Sequence, residues 1–241
     1  MTEKSNKRRY SNIAIVPSRG GSKRIPRKNL VEFEGLPAFV STAKFLENLM
    51  IFNKVFISSE DEEVLELSKI HGLNTARKRP QDLAGDESST IEVIQSELQY
   101  LESIGITADY VTCVYPLTQL LKGKRLIEGL SAIMSPGIDY VFSAQPSNTK
   151  IARLFKVDEK TSNIENLKGF SNDLTQNLET HYFDAGQFYI GPWKSWLEGK
   201  AIFTKRSRVI ILNKWETIDV DDPEDLELLK ALLFFKEKPR S

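Results

Sequence analysis

Strand-like and helix-like segments alternate along most of the chain, and this alternation restricts the possible folds more than any other feature. Short β-branched runs, such as residues 12–17 and 54–59, are typical of buried strands. Between them lie stretches with apolar residues at helical spacing, such as residues 36–52 and 61–72. Strands separated by helices at this interval predict parallel crossover connections. The sequence therefore predicts an α/β fold: a mostly parallel layered sheet with helices on both faces.

The same patterns predict the remaining elements. Helices are expected at residues 89–105, 123–137 and 223–236, and strands at residues 109–116, 139–146, 185–191, 207–212 and 215–220. From about residue 146 to 183 the rhythm fails and polar residues dominate, which indicates a hairpin-bearing arm outside the main sheet. We expect one domain over residues 12–241, with residues 146–183 as this inserted arm and residues 1–11 as a disordered basic tail.

The charge balance argues against several kinds of partner. The 241 residues contain 33 Lys and Arg and 33 Asp and Glu, so a general affinity for nucleic acid or anionic membranes is not expected. No segment approaches the roughly 20 apolar residues of a membrane helix. The single cysteine, Cys113, rules out an internal disulfide and fits a reducing cytoplasm. Positive charge can therefore bind a ligand only where it is concentrated in a short segment.

The densest positive charge lies in residues 17–29, "PSRGGSKRIPRKN", which we call the basic loop. It directly follows the first predicted strand, at the carboxyl edge of the sheet, where open α/β folds bind ligands. Gly20 and Gly21 would let the backbone N–H groups approach a bulky anion. The side chains that add charge are Arg19, Lys23, Arg24, Arg27 and Lys28. A triphosphate suits this density of donors, although a solvated basic surface loop would have the same composition.

Two familiar phosphate-binding motifs are absent from this loop. A P-loop requires G-x-x-x-x-G-K-[ST], but here Lys23 follows a serine and precedes an arginine. The dinucleotide fingerprint G-x-G-x-x-G is also missing. The loop must therefore bind its anion in another way.

A second candidate site lies near the C-terminus, in "TIDVDDPEDL". Asp219 and Asp221 are two residues apart on a predicted strand, so both carboxylates should project from one face. Two carboxylates suit Mg²⁺, which takes its remaining ligands from water and substrate phosphates. Asp222 has a different explanation, because Asp-Pro followed by acidic residues is typical of a helix start. We therefore expect a magnesium site at Asp219 and Asp221.

Four motifs in this order resemble those of the CMP-sialic acid synthetase family of cytidylyltransferases. They are "IAIVPSRGGSKRIPRKN", "RPQDLAGDESST", "DAGQFYIG" and "TIDVDDPEDL", and they span the chain from Ile13 to about Leu229. The variants "GGSKRIPRKN" and "DAGQFY" look most like the pseudaminic acid branch. The resemblance implies a nucleotidyltransferase fold related to GT-A glycosyltransferases. It also implies a reaction in which CTP and a nine-carbon acidic sugar (a nonulosonic acid) give a CMP-sugar and pyrophosphate, with magnesium.

The resemblance assigns residues to the nucleotide and to the metal. The first loop of the family wraps the triphosphate, a role that passes here to Arg19, Ser22, Lys23, Lys28 and Asn29, beside the two glycines. The family's second motif holds cytosine and ribose, which implies Arg79, Asp86, Ser88 and Ser89. Its aspartate pair matches Asp219 and Asp221 as magnesium ligands.

The resemblance also assigns a sugar site and a partner. The third motif would place Asp184, Gln187 and Phe188 near the sugar, with His181 close by. The family's Q-P-T-S-P-L-R turn is replaced here by "VYPLTQLLKGKR" (residues 114–125), which puts the identity of the sugar in doubt. The arm matches the family's dimerisation element, so a homodimer is implied.

The mechanism implied is direct attack by the sugar's anomeric hydroxyl on the α-phosphorus, with Lys23 and Lys28 stabilising the leaving pyrophosphate. Three alternatives remain open. The first is the same chemistry on N-acetylneuraminic, legionaminic or 3-deoxy-manno-octulosonic acid. The chain could also be a glycosyltransferase that uses Asp219 and Asp221 as its D-x-D motif, or a nucleotide sensor without catalysis.

Overall fold

A seven-stranded mixed sheet forms the centre of the molecule. In the computed structural model, which describes residues 8–85, 87–167 and 169–237, the strands lie in the order β11-β7-β10-β6-β1-β4-β5. They are β1 (Arg8–Pro17), β4 (Lys54–Ser59), β5 (Asn74–Lys78), β6 (Ile106–Val114), β7 (Tyr140–Pro146), β10 (Tyr182–Pro192) and β11 (Ser207–Ile211). Every pairing is parallel except those of β10, which runs antiparallel to both β6 and β7. The prediction of a mostly parallel sheet is confirmed.

Helices cover both faces of this sheet, as predicted. They are α1 (Ala38–Asn48), α2 (Glu62–Ile70), α3 (Thr90–Ser103), α4 (Gly123–Ile133), α5 (Trp193–Leu197) and α6 (Pro223–Glu237). α1, α2 and α4 bury their apolar residues against one face, and α3 and α5 against the other. α6 packs on a smaller cluster beside the basic loop, where Leu226 and Leu229 meet Ile25 and Leu117. The two large cores fix the sheet, and the third fixes one side of its carboxyl edge.

Two short hairpins lie outside the sheet. The first consists of β2 (Glu32–Phe33) and β3 (Leu36–Pro37). The second consists of β8 (Phe155–Val157) and β9 (Ile164–Asn166), and it lies in the arm, where the sequence predicted a hairpin. The apolar side chains of this second hairpin are exposed.

The first strand starts earlier than predicted. Residues 8–11, expected to belong to a disordered tail, continue β1, and the register pairs Arg8 with Ile106. The rest of that predicted tail, residues 1–7, lies outside the described residues. β5 was not predicted, because its sequence "NTARK" is polar and its side chains are only partly buried or exposed.

The strand predicted at residues 215–220 is wrong. The chain turns after β11, where the Glu216 N–H donates to the Asn213 carbonyl oxygen at 2.9 Å. Glu216 is fully buried and its carboxylate pairs with Arg125, which holds this turn against α4. Residues 217–222 then run across the carboxyl edge of the sheet without joining it. Glu216 thus lies in a turn with its buried carboxylate paired to Arg125, in place of the strand that the β-branched residues favour.

Phe188 belongs to the core. Its side chain is fully buried on β10 among apolar residues of α4 and the neighbouring strands. The expectation that it contacts a sugar is therefore corrected, because its side chain lies on the face of the sheet opposite Tyr189.

We expect Phe188→Ala to lower the free energy of unfolding by about 3–5 kcal/mol, because it leaves a cavity in a close-packed core. Urea unfolding followed by circular dichroism would measure this change. Phe235→Ala, at a ring that is 66% exposed on α6, is the matched control and should change it much less. Equal losses in the two variants would contradict the placement of Phe188.

Candidate active site

The carboxyl edge of the sheet contains a cavity of about 680 Å³, which we call the edge cavity. It lies where the strands β1, β4 and β6 end and where the antiparallel strand β10 begins. The first strand, β1, has neighbours on both sides in the sheet, and ligands of α/β folds bind at such a position. The predicted site residues that line it are Arg19, Ser22, Lys23, Lys28, Asn29, Arg79, Ser88, Asp184, Gln187, Asp219 and Asp221. The structure thus brings the N-terminal basic loop and the C-terminal aspartates to one cavity.

Other predicted residues lie elsewhere. Gly20, Gly21, Ser89, Phe188 and His181 do not line the edge cavity. Ser89 is the N-cap of α3: its hydroxyl accepts the Glu92 N–H at 3.2 Å in a reciprocal capping box. His181 lies at the base of the arm, where its carbonyl oxygen accepts the Ser147 N–H at 2.8 Å. Asp86 lies outside the described residues.

Side chains from elsewhere in the chain hold the basic loop in place. Asn29 is buried and donates from Nδ2 to the Arg19 carbonyl oxygen at 2.8 Å. Arg27 adopts a left-handed backbone conformation with φ 56° and donates from Nη1 to Asp61 Oδ2 at 2.6 Å. Asp61 also accepts the Val64 N–H as the N-cap of α2. The loop is therefore fixed at both ends rather than freely solvated.

The two glycines of the loop have different environments. The N–H of Gly20 donates to the Glu60 carboxylate, at 2.8 Å from Oε1, so the expectation that this N–H faces a ligand anion is corrected. A Cβ at Gly20 would lie 2.0 Å from Asp61 Oδ2, whereas a Cβ at Gly21 would meet nothing within 4 Å. The close approach of Asp61 is thus what requires glycine at position 20.

Asp221 is in direct contact with cations of the loop at the wall of the edge cavity. Arg24 Nη2 lies 2.8 Å from Asp221 Oδ1, and Lys28 Nζ lies 3.9 Å from the same oxygen. Lys28 Nζ also donates to the Val220 carbonyl oxygen. Both aspartates line the cavity although their segment is not a strand. Asp222 caps α6 by accepting the N–H groups of Glu224 and Asp225, as predicted.

Burial and like charge shift the pKa values of the central groups. Burial raises the pKa of Asp219, and the neighbouring Asp221 raises it further. Burial lowers the pKa of Lys28, although Asp221 and Asp219 act in the opposite direction. An additional cation beside the two aspartates would relieve the repulsion between them.

The motif "DAGQFY" shapes β10 so that it approaches Asp219. The register of β10 against β7 shifts between Asp184 and Tyr189, which marks an irregularity of the bulge type. Gly186 there has φ +60°, and a Cβ on it would lie 3.2 Å from the Asp219 carboxylate. Only glycine tolerates both the positive φ and the short distance to the carboxylate without strain.

The floor of the edge cavity carries two tyrosines that the sequence analysis missed. Tyr189 donates its hydroxyl proton to Asp184 Oδ2, and burial raises the pKa of Tyr189, so the hydroxyl stays protonated. Tyr115 forms a hydrogen bond with Thr90, and its ring packs edge-on to Tyr189 at 6.0 Å. The position of Tyr115, directly after β6, was the signal that could have found it.

Gln187 keeps its side chain on the cavity wall. It is 2% exposed, and Nε2 donates to the carbonyl oxygens of Ala185 at 2.9 Å and Ile218 at 3.2 Å. Its Oε1 is buried without a hydrogen-bond partner in the described part of the chain. Such an acceptor can receive a hydrogen bond from a ligand hydroxyl.

Within residues 8–85, 87–167 and 169–237, no group of three or more His, Cys, Asp or Glu side chains could hold a metal ion. In the same residues, no helix has the length and hydropathy needed to cross a membrane.

These features describe a cavity at the carboxyl edge of an α/β sheet that is lined by both cations and carboxylates, which suits a charged ligand. The family model described as cytidylyltransferase matches residues 13–238. The chain therefore belongs to the cytidylyltransferase family, and it is a nucleotidyltransferase enzyme.

Two relatives indicate which branch of this family the chain resembles. A pseudaminic acid cytidylyltransferase from Campylobacter jejuni is 34% identical over 225 residues, covering 92% of this chain and 95% of the relative. A CMP-N,N'-diacetyllegionaminic acid synthase from Legionella pneumophila is 24% identical over 228 residues, covering 92% of this chain and 95% of the relative. The resemblance to the pseudaminic acid branch is confirmed.

Solved structures confirm the fold. A CMP:2-keto-3-deoxy-manno-octonic acid synthetase complexed with CTP has a TM-score of 0.71 at 13% identity, over 94% of this chain and 99% of that one. A 4-diphosphocytidyl-2C-methyl-D-erythritol synthase has a TM-score of 0.63 at 12% identity, over 93% and 99%.

The geometry of the glycines predicts different outcomes for two similar variants. Gly20→Ala should lower turnover by about 10-fold or more, because its Cβ would displace Asp61 and move the loop. Gly21→Ala is the matched control and should retain turnover within about 3-fold. Assays of nucleotidyl transfer would measure both, and equal losses would contradict a special role for position 20.

Proposed function

We propose that this chain transfers the cytidylyl group of CTP to pseudaminic acid, giving the CMP-sugar and pyrophosphate. One observation carries the proposal: the basic loop and the aspartates Asp219 and Asp221 line the same cavity. The 34% identity to a pseudaminic acid cytidylyltransferase supports the choice of substrates.

The nucleotide would extend along the edge cavity. Arg19, Ser22 and Lys23 would bind the triphosphate, since they line the wall that carries the basic loop. Arg79 and Ser88 would contact the cytidine at the other end, beside the apolar side chains of Leu83 and Val93, which can pack on a base.

The residues fit magnesium. Mg²⁺ is usually held by one or two carboxylates together with substrate phosphates, so the pair Asp219 and Asp221 suffices. Burial and mutual repulsion make an additional cation favourable at this pair. When bound, the ion would neutralise part of the negative charge of the phosphates. Asp221 now pairs with Arg24, whose guanidinium is also suited to bind phosphate oxygens.

The chemical step needs no covalent enzyme intermediate. The anomeric hydroxyl of the sugar would lose its proton to water as its oxygen forms a bond to the α-phosphorus. The bond from that phosphorus to the oxygen that bridges it to the β-phosphate would break and release pyrophosphate. Lys23 and Lys28 would stabilise the negative charge that develops on the departing pyrophosphate. The main work of the protein would be to hold two anionic substrates in line.

The sugar would bind beside β10. Asp184 is held by the Tyr189 hydroxyl, and Gln187 presents an unpartnered acceptor oxygen in the same region. Pro116 and Leu117, from the turn that departs from the family pattern, also line the cavity. Polar groups at fixed positions can distinguish sugars that differ in their hydroxyl and amide groups.

Pyrophosphate release from CTP and Mg²⁺ tests this function against a panel of sugar acids. The panel contains pseudaminic, legionaminic, N-acetylneuraminic and 3-deoxy-manno-octulosonic acids. We expect release with pseudaminic acid and its loss on chelation with EDTA. Preference for another acid would reassign the sugar, and no release with any of them would favour a sensor.

Two variants check the assigned roles in the same assay. Lys23→Ala and Asp221→Asn should each lower kcat by about 100-fold or more, since each removes charge stabilisation in the transition state. Both side chains line the cavity rather than the core, so circular dichroism should show an unchanged fold. Turnover like that of the wild type in either variant would remove that residue from the mechanism.

We also propose that the chain forms a homodimer through the arm, in a reducing cytoplasm. The exposed apolar residues of its hairpin, Phe155, Val157 and Ile164, support an interface because monomers rarely expose such clusters. The buried, unpaired Cys113 is compatible with a reducing compartment.

Light scattering after gel filtration should give twice the chain mass of 27.4 kDa. Ile164→Asp in the arm should shift the protein toward the monomer, because a buried charge would oppose association. Ile70→Asp, at a similarly exposed isoleucine at the end of α2, should not. A monomeric wild-type protein would overturn the proposal.

A further inference from the structure

We propose that Glu60 is a positioning residue for the nucleotide: its carboxylate connects the basic loop to Arg79 and thereby sets the spacing between the two ends of the binding cavity. This inference rests on the proposed function, because it concerns how the same cavity holds CTP.

The two carboxylate oxygens of Glu60 contact the backbone of the basic loop behind the cavity wall and the side chain of Arg79. Oε1 accepts the Gly20 N–H at 2.8 Å, and Oε2 accepts a hydrogen bond from Arg79 Nη2. Gly20 stands between Arg19 and Ser22, which line the cavity on the phosphate side. Arg79 lines it on the proposed cytidine side. One side chain thus joins parts of the site that are 59 residues apart in sequence (79 minus 20).

Burial makes this connection rigid. Glu60 is 9% exposed and Arg79 is 4% exposed, so water screens their attraction little. The backbone N–H of Arg79 also donates to the Ser59 carbonyl oxygen at 2.8 Å, which holds Arg79 to the end of β4. Loss of the Glu60 charge would leave a buried guanidinium without its counter-ion.

Arg79 keeps capacity for a ligand while paired with Glu60. Its Nε is buried without a hydrogen-bond partner in the described part of the chain. An unsatisfied buried donor on a cavity wall needs a partner, which a ligand acceptor or an ordered water can supply. Glu60 would therefore orient the guanidinium so that this Nε–H is presented correctly.

Glu60 and Asp61 both lie against Gly20, but they bind different groups. Asp61 pairs with Arg27 at the far end of the loop, whereas Glu60 accepts the Gly20 N–H near its start. Of these two carboxylates, Glu60 is the one that also pairs with Arg79. Glu60 is therefore the one of the two that connects the loop to Arg79.

Glu60→Gln tests this inference, because it keeps the shape of the side chain and removes its charge. We expect CTP binding, measured by calorimetry without sugar, to weaken by about 10-fold or more. The KM for CTP should rise similarly, while kcat at saturating CTP and the KM for the sugar acid should change by less than about 3-fold.

Asp139→Asn is the matched control for a purely structural effect. Asp139 is also buried, at 8% exposed, and it pairs with Lys200 and Arg206 away from the cavity. Both variants should unfold at lower temperature, but only Glu60→Gln should weaken CTP binding. If Glu60→Gln fails to fold, Glu60→Asp allows the same comparison, since it keeps the charge and shortens the reach.

Two outcomes would overturn the inference: CTP affinity within about 2-fold of the wild type in the Glu60 variant, or an equal loss in Asp139→Asn. Wild-type protein that binds no CTP would instead overturn the proposed function, and this inference with it.

Discussion

Opposite charges placed against the basic loop are the constraint on which the site depends. Five cationic side chains within ten residues repel one another, so the loop holds one conformation only if carboxylates approach it. Glu60 and Asp61 approach from the end of β4, and Asp221 approaches from the segment before α6. The parallel sheet makes this possible because it brings the ends of β1 and β4 to the same edge.

The arrangement leaves the loop neither neutral nor fully exposed. The contacts of Arg27 with Asp61 and of Gly20 with Glu60 stabilise the backbone of the loop. The side chains of Arg19, Lys23 and Lys28 line the cavity. Asp221 pairs with cations that would also suit a phosphate. A protein that binds a highly charged ligand thus keeps its own charges paired until the ligand arrives.

Much of the fold could be predicted because its elements are strongly periodic. The strand at residues 54–59 and the start of α6 at Pro223 match the sequence patterns, since β-branched runs and Asp-Pro caps act locally. Where the prediction of a strand was wrong, at residues 215–220, residues distant in sequence meet: Glu216 lies in a turn and its buried carboxylate pairs with Arg125. The antiparallel direction of β10 is likewise set by its neighbours and not by its own sequence.

The candidate site could be predicted in part for the same reason. Motifs located Asp219 and Lys23, but they gave no information about which face of β10 Phe188 would occupy. Ser89 was assigned to the nucleotide although its spacing to Glu92 also fits a capping box. Glu60 was missed because acidic residues after a strand are common, and only the fold shows that Gly20 and Arg79 lie on either side of it.

The antiparallel direction of β10 also determines where the arm joins the sheet. Because β7 ends and β10 begins at one edge of the sheet, the arm leaves and returns at the same place, and the Ser147 N–H closes its base on the His181 carbonyl oxygen. The path of the sheet strands therefore does not depend on how far the intervening segment extends. The fold therefore provides a modular insertion point beside its reaction centre, where descendants could acquire new attachments while the chemistry stays constant.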